Sequence, residues 1–160
     1  MRHDQRGFSL IELLIVVAII LIIAAIAIPN FLRSRVAANQ ASAIESLRVI
    51  STAEVTYSTT YGSGFSSSLS LLAPPPNGQP TSSTAAGLID EVLAGGYKSG
   101  YSFFYTPTLI DANMTNGYTL LANPSTYGTT GGVYYYTDQS FVITANSTQP
   151  ASSTDTPVGD

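Results

Sequence analysis

The chain has no cysteine, no tryptophan and a single histidine, and only 10% of its residues are charged. Without cysteine there is no disulfide, no thiolate metal site and no thiol nucleophile. The one histidine, His3, lies in the first seven residues, which leaves the rest of the chain without an imidazole base or ligand. The one lysine, Lys98, stands between glycine-containing turns with no evident catalytic partner. Asp90 and Glu91 are adjacent, so on a helix they point about 100° apart, a poor arrangement for an acid–base pair. Gly62-Ser63-Gly64 lacks the third glycine of a nucleotide fingerprint and follows no strand. The formal net charge of −4 gives no electrostatic footprint for nucleic acid. Composition alone leaves Ser/Lys or two-carboxylate chemistry open. No nucleophile elbow, phosphate loop or ligand cluster is present to support it, so the chain reads as a non-enzyme without a cofactor.

What the chain has in quantity is one apolar run. Leu13 to Ile28 contains only Leu, Ile, Val and Ala. With Phe8 to Ile11 added, it reaches the roughly 20 residues a helix needs to cross a bilayer core of about 30 Å. Its one charge is Glu12, near the N-terminal end. A carboxylate at the centre of a membrane helix costs about 2.5–3.5 kcal/mol on insertion scales, and less near an end, so an ionisable group kept there is a functional candidate. Arg2 and Arg6 against Asp4 make the preceding segment net positive, which by the positive-inside tendency keeps it cytoplasmic and sends the bulk of the chain outward.

Gly7-Phe8-Ser9-Leu10-Ile11-Glu12-Leu13 resembles the N-terminus of type IV pilins and of the pseudopilins of type II secretion. The resemblance runs through Pro29 into the next helix and covers about the first third of the chain. It implies cleavage between Gly7 and Phe8 by a prepilin peptidase, and methylation of the new Phe8 amine by the same enzyme type with S-adenosylmethionine as donor. It also implies that Glu12 pairs with the Phe8 amine of a neighbouring subunit, and that Pro29 marks a bend or local opening of the helix. The partners implied are further copies of the chain in a helical homopolymer, the membrane before assembly, and an assembly platform with a cytoplasmic ATPase. The precursor would sit in the cytoplasmic (inner) membrane and the product in an extracellular pilus. A secretory signal peptide cut after Ala27, in Ala25-Ile26-Ala27, is the first alternative. Against it stand the acidic residue and a run longer than the 7–15 residues of an ordinary h-region. A plain single-pass anchor is the second, and it would need neither Glu12 nor its spacing from Gly7 and Phe8.

From Phe31 to Tyr61, Ala37, Ala41, Ile44, Leu47, Ile50, Ala53, Tyr57 and Tyr61 recur every three or four residues, an apolar stripe for packing on a sheet. Asn39, Glu45, Arg48 and Glu54 are expected on the opposite, solvated side. Gly62 ends the helix. Phe65 to Thr84 is a surface connection with polyproline character at Pro74-Pro75-Pro76, pinned by Leu69, Leu71 and Leu72. Ala85 to Ala94 is expected as a short helix with Ser83 or Thr84 as N-cap. Four strands follow: Tyr101–Thr106, Tyr118–Ala122, Val133–Thr137 and Phe141–Thr144, with Asn116-Gly117 as a hairpin turn. The ten tyrosines suit half-buried strands with one wet edge.

The expected architecture is therefore α+β, a long N-terminal helix packed on a four-stranded antiparallel sheet, as in pilins. The expected divisions are a leader (1–7), a membrane or filament-core helix (8–28), an amphipathic half-helix (29–61), a head (62–144) and a flexible Ser/Thr/Pro-rich tail (145–160). In the tail, Ser147, Thr148, Ser152 and Ser153 are candidate sugar acceptors. Asn113-Met114-Thr115 and Asn146-Ser147-Thr148 match the N-linked pattern. Asp111, Asp138 and Asp155 are weak candidates for a calcium site. The functional reading is a pilus subunit, with a minor pilin or secretion pseudopilin as alternatives, and a membrane-anchored or secreted binding domain as the alternative of another class.

Overall fold

A computed structural model of the chain describes residues 8–111 and 114–159. One helix, α1 (Leu10–Tyr61), is followed by 3-10 turns at Leu69–Leu72 and Pro76–Gly78, a single-turn helix α2 (Glu91–Ala94), and six strands. The strands are β1 (Tyr97–Lys98), β2 (Tyr101–Asp111), β3 (Met114–Pro124), β4 (Tyr134–Asp138), β5 (Thr144–Asn146) and β6 (Thr156–Pro157). They form one antiparallel meander in chain order. Contacts divide the chain after Arg35 into two units.

In the second unit the core lies between one side of α1 and the inner face of the sheet. Leu47, Ile50, Ala53 and Tyr57 pack with Tyr101, Phe103, Tyr118, Leu120, Ala122 and Tyr135. The period-3.6 stripe therefore does what its spacing requires. Its first members, Ala37 and Ala41, remain exposed. Glu54 departs from the expected solvated side and is fully buried.

The tyrosines go deeper than strand patterning suggests. Tyr101 and Tyr118 are fully buried. Such burial is tolerable because each hydroxyl finds an acceptor. Tyr101 donates to Val133 O (2.9 Å) and Tyr118 to Ser51 Oγ (3.3 Å). Burial pushes the Tyr118 hydroxyl up to about 12. Tyr105 and Tyr118 stack at 5.4 Å, and Phe65 meets Tyr118 edge-on at 5.2 Å.

Among the described residues the sheet has six strands rather than four, because β1 and β6 are added at its two edges, and two expected boundaries also move. Ser99 and Gly100 both have positive φ (49° and 74°), so they close a two-residue hairpin that adds β1. Asn116-Gly117 is not a turn. It lies inside β3, beside a register shift in which Thr108 pairs with Gly117 and Leu109 with Thr115. The pairing of β2 with β3 extends as far as Asp111 with Met114. Finally, Phe141 has φ 64° and is exposed, so the expected strand 141–144 starts only at Thr144.

The segment 145–160 supplies most of β5 and all of β6 instead of hanging from the sheet. Thr144 Oγ1 donates to Ser152 O (2.7 Å), Val158 N to Ile143 O (2.8 Å), and Ala151 is buried. The expected helix 85–94 shrinks to Glu91–Ala94 because its cap is Asp90, not Ser83 or Thr84. The Asp90 carboxylate accepts from Leu93 N (2.9 Å) and from Lys98 Nζ (2.8 Å). That pairing with Lys98 holds Asp90 below the usual carboxylate range.

Two glycines after α1 test the packing. Gly62 (φ 68°) has open space where a Cβ would project, whereas at Gly64 (φ 80°) a Cβ would run into the carbonyl of Thr115. Gly62→Ala should cost only the left-handed backbone penalty of about 1–2 kcal/mol. Gly64→Ala should cost about 1–3 kcal/mol more through overpacking. Thermal unfolding of the two variants measures the difference.

Candidate assembly site

The N-terminal end of α1 is built by its first residues. Ser9 O accepts the first helical bond from Leu13 N (3.2 Å), and the Glu12 carboxylate reaches back to Ser9 N (3.3 Å). Ser9-x-x-Glu12 thus forms the acidic half of a capping box, satisfying an amide that would otherwise lack a partner. This local role of Glu12 was legible as an S-x-x-E pattern and adds to any role between subunits. A carboxylate in the first turn also suits the positive end of the helix dipole.

From there the surface is apolar on every side. Every large apolar side chain from Phe8 to Ile28 is between 46% and 81% exposed. The helix is long and apolar enough to cross a membrane. A contiguous apolar surface of this size far exceeds what a soluble monomer leaves in water, so lipid or other protein must cover it.

α1 continues through Pro29. Proline removes an N–H from the helical ladder and crowds the preceding turn. The adjoining turns carry extra bonds that sequence reasoning did not single out. Asn30 Nδ2 donates to Ile26 O (3.1 Å) and Ser34 Oγ to Asn30 O (3.0 Å). Polar side chains that bond nearby carbonyls are how a proline-bearing helix is tolerated out of water.

Gly7, the expected cleavage position, lies outside the described residues, as does Asn113 of the first N-linked pattern. Phe8, Glu12 and Pro29 lie along one exposed segment. Ser147, Thr148, Ser152 and Ser153 are all exposed. Thr148 Oγ1 bonds to Asn146 Oδ1 (3.0 Å) and Ser152 Oγ to Asp155 Oδ2 (2.9 Å), so two of the four hydroxyls are engaged. Asp155 also receives Ser152 N (2.7 Å), and these bonds hold its carboxyl below the usual range.

Asp138 accepts from Ser140 N (2.8 Å) and from Tyr136 (3.2 Å), at a different turn from Asp155. Among the described residues no group of three or more His, Cys, Asp or Glu could hold a metal ion. A groove of about 470 Å³ between α1 and the segment at Phe141 and Ile143 has Arg48 as its one ionisable lining residue, so it offers no acid–base pair.

Comparison with known proteins agrees with this geometry. Residues 2–28 match the family model described as the prokaryotic N-terminal methylation motif. The class of chain is thereby defined: an N-terminal methylation motif on an exposed apolar helix, followed by an α+β head. The chain is 52% identical over 53 residues to a type IV major pilin protein of Myxococcus xanthus, covering 33% of this chain and 24% of that one. It is 60% identical over 37 residues to a type IV wide pilus major component of Thermus thermophilus, covering 23% and 28%. The chain thus spans about a quarter of the length of the curated relatives it matches. No solved structure shows significant similarity. Over its N-terminal third, the chain is similar to type IV pilins.

Asn146 illustrates how the head constrains modification. Its Nδ2 donates to Asp155 Oδ1 (2.9 Å), while its Oδ1 accepts from Thr148 N (2.9 Å). An acceptor amide engaged at both ends is a poor nucleophile for a sugar donor. Peptide mapping of surface material should find Asn146 unmodified, whatever the adjoining hydroxyls carry.

Proposed function

We propose that the chain is a structural subunit of a type IV pilus. The observation that carries this reading is the methylation motif at residues 2–28, set on a helix whose apolar surface is exposed throughout and interrupted by one carboxylate. Such a helix can be stored in a bilayer and later buried among copies of itself, since both environments cover the same surface. On this reading residues 1–7 are a leader removed at Gly7, Phe8 becomes the methylated N-terminus, and residues 8–28 form the filament core. The head coats the outside, where Ser147 and Ser153 are the most accessible sugar acceptors.

Glu12 gives the polymer its register. Charge buried in an apolar bundle is heavily penalised when alone and far less when paired. The new Phe8 amine of a neighbouring copy is the cation that would meet it, so copies settle where the pair forms. Nothing in this mechanism requires chemistry by the subunit itself. Cleavage, methylation and the work of extraction fall to a peptidase–methyltransferase, an assembly platform and a cytoplasmic ATPase. A charged Glu12 suits a subunit of the filament body, and abundance on the cell surface distinguishes a major pilin from a minor pilin or a secretion pseudopilin.

The capping and pairing roles of Glu12 can be separated. A capping box accepts Gln as well as Glu, whereas an ion pair requires the charge. Glu12→Gln should therefore keep the helix start and membrane insertion while lowering filament yield at least about tenfold, given the 3–5 kcal/mol that removing one partner of a buried pair typically costs. Filaments sheared from cells and quantified against the membrane pool provide the measurement. Wild-type yield from Glu12→Gln would remove the pairing role.

A further inference from the structure

Glu54 is a fully buried carboxylate that the assembly reading does not use. Its partners are hydroxyls and one backbone amide, with no cation among them. Glu54 Oε2 accepts from Ser66 N (2.8 Å) and Oε1 from Ser66 Oγ (2.6 Å). From α1 it is faced by Tyr57, from β2 by Tyr105 and from β3 by Tyr118, each of which responds to its charge. All three phenols are held above their ordinary value, so none of them ionises near neutral pH. Tyr105 donates to Ser66 O (2.7 Å), which ties the same residue to the sheet.

Ser66 has one hydroxyl hydrogen and three acceptors in reach: Glu54 Oε1 at 2.6 Å, Ser68 O at 3.0 Å and, farthest, the Tyr105 hydroxyl at 3.4 Å. We infer that Glu54 and Ser66 form a proton-directed clasp between α1 and the loop that carries Leu69 and Leu72 into the core. With Glu54 ionised, the Ser66 hydrogen points at the carboxylate and Ser68 O loses it. With Glu54 protonated, the carboxyl O–H donates to Ser66 Oγ and the Ser66 hydrogen turns to Ser68 O, where it joins the bond from Leu71 N (3.2 Å). Ser68 precedes the 3-10 turn Leu69–Leu72, whose first and last leucines are buried, so the redirected hydrogen bond steadies that turn.

The direction of linkage follows. Desolvation holds Glu54 above the ordinary carboxylate value, against the lowering effect of its Ser66 bonds. A raised acid contributes stability that is fully present below the unfolded-state value of 4.5 and is lost as pH rises through the folded value. Each pKa unit of elevation corresponds to a tenfold loss of the folded population relative to the unfolded. This inference concerns the head alone and does not depend on the filament reading.

Hydrogen exchange on the full chain in detergent micelles, corrected for intrinsic rates, tests it between about pH 5 and about pH 8, above the ordinary carboxylate value and below that of tyrosine. Protection of residues 66–72 should fall as pH rises in the wild type. It should be independent of pH in Glu54→Gln, whose amide mimics the protonated acid. Ser66→Ala, which removes the relay but keeps the backbone N–H bond, should lose the gain in protection on the acid side. Carbon-13 titration of the wild-type Glu54 carboxyl, assigned by its loss in Glu54→Gln, decides the matter even if a variant folds poorly. A Glu54 that titrates at or below 4.5, or a Glu54→Gln pH slope equal to the wild type's, would overturn the clasp.

Discussion

A helix whose large apolar side chains are all exposed from Phe8 to Ile28 is the constraint on which the rest of the molecule depends. From Phe8 to Ile28 the surface is hydrocarbon on all sides, and a helix that is apolar all round is stable only in a membrane or a protein interior. The single carboxylate in that surface is satisfied in the isolated chain by a backbone amide, a bond that a polar neighbour can supplement without unfolding the helix start. Inventory and geometry together describe a part made to be covered by others.

The head solves a different problem on the same helix. Beyond Arg35 one side of α1 is buried against an antiparallel sheet, and Tyr57, Tyr101, Phe103, Tyr118 and Tyr135 fill the core between them. Tyrosine suits this use because its ring fills space while its hydroxyl reaches a carbonyl or a serine at the margin. Tyr57 donates to Ser83 O (2.8 Å), Tyr101 to Val133 O and Tyr105 to Ser66 O, so three of these hydroxyls also tie down the connecting segments that pack around the sheet. In a chain without disulfides, the short strands β5 and β6, with the bonds from Thr144 to Ser152 and from Val158 to Ile143, hold the last described residues in place.

Much of this was legible from residue pattern. The apolar run, the Gly-Phe-x-x-x-Glu spacing and the helical stripe from Ile44 to Tyr57 each encode one dominant physical demand, and each is read directly from composition and period. What was not legible depends on tertiary context. Glu54 was expected to be wet because of its charge, although Ile50 and Tyr57 one turn away lie in the buried stripe; Ser66, twelve positions on, supplies bonds that make its burial possible. Asn116-Gly117 has turn chemistry but is overruled by strand pairing on both sides, with the irregularity absorbed as a register shift. Thr144 to Pro157 looks too polar to pack. It joins the sheet through backbone pairing and the Asn146–Asp155–Ser152 bonds, which hydrophobic periodicity cannot reveal.

The central claim is that the helix beginning at Phe8 is processed for burial in a polymer. Intact mass with N-terminal sequencing of material sheared from the cell surface tests it most directly. The account predicts a chain that starts at N-methylated Phe8 and retains the whole apolar helix. A chain that starts at Ile28, after Ala27, would instead be an ordinary secreted domain freed of its signal peptide, and would contradict the account.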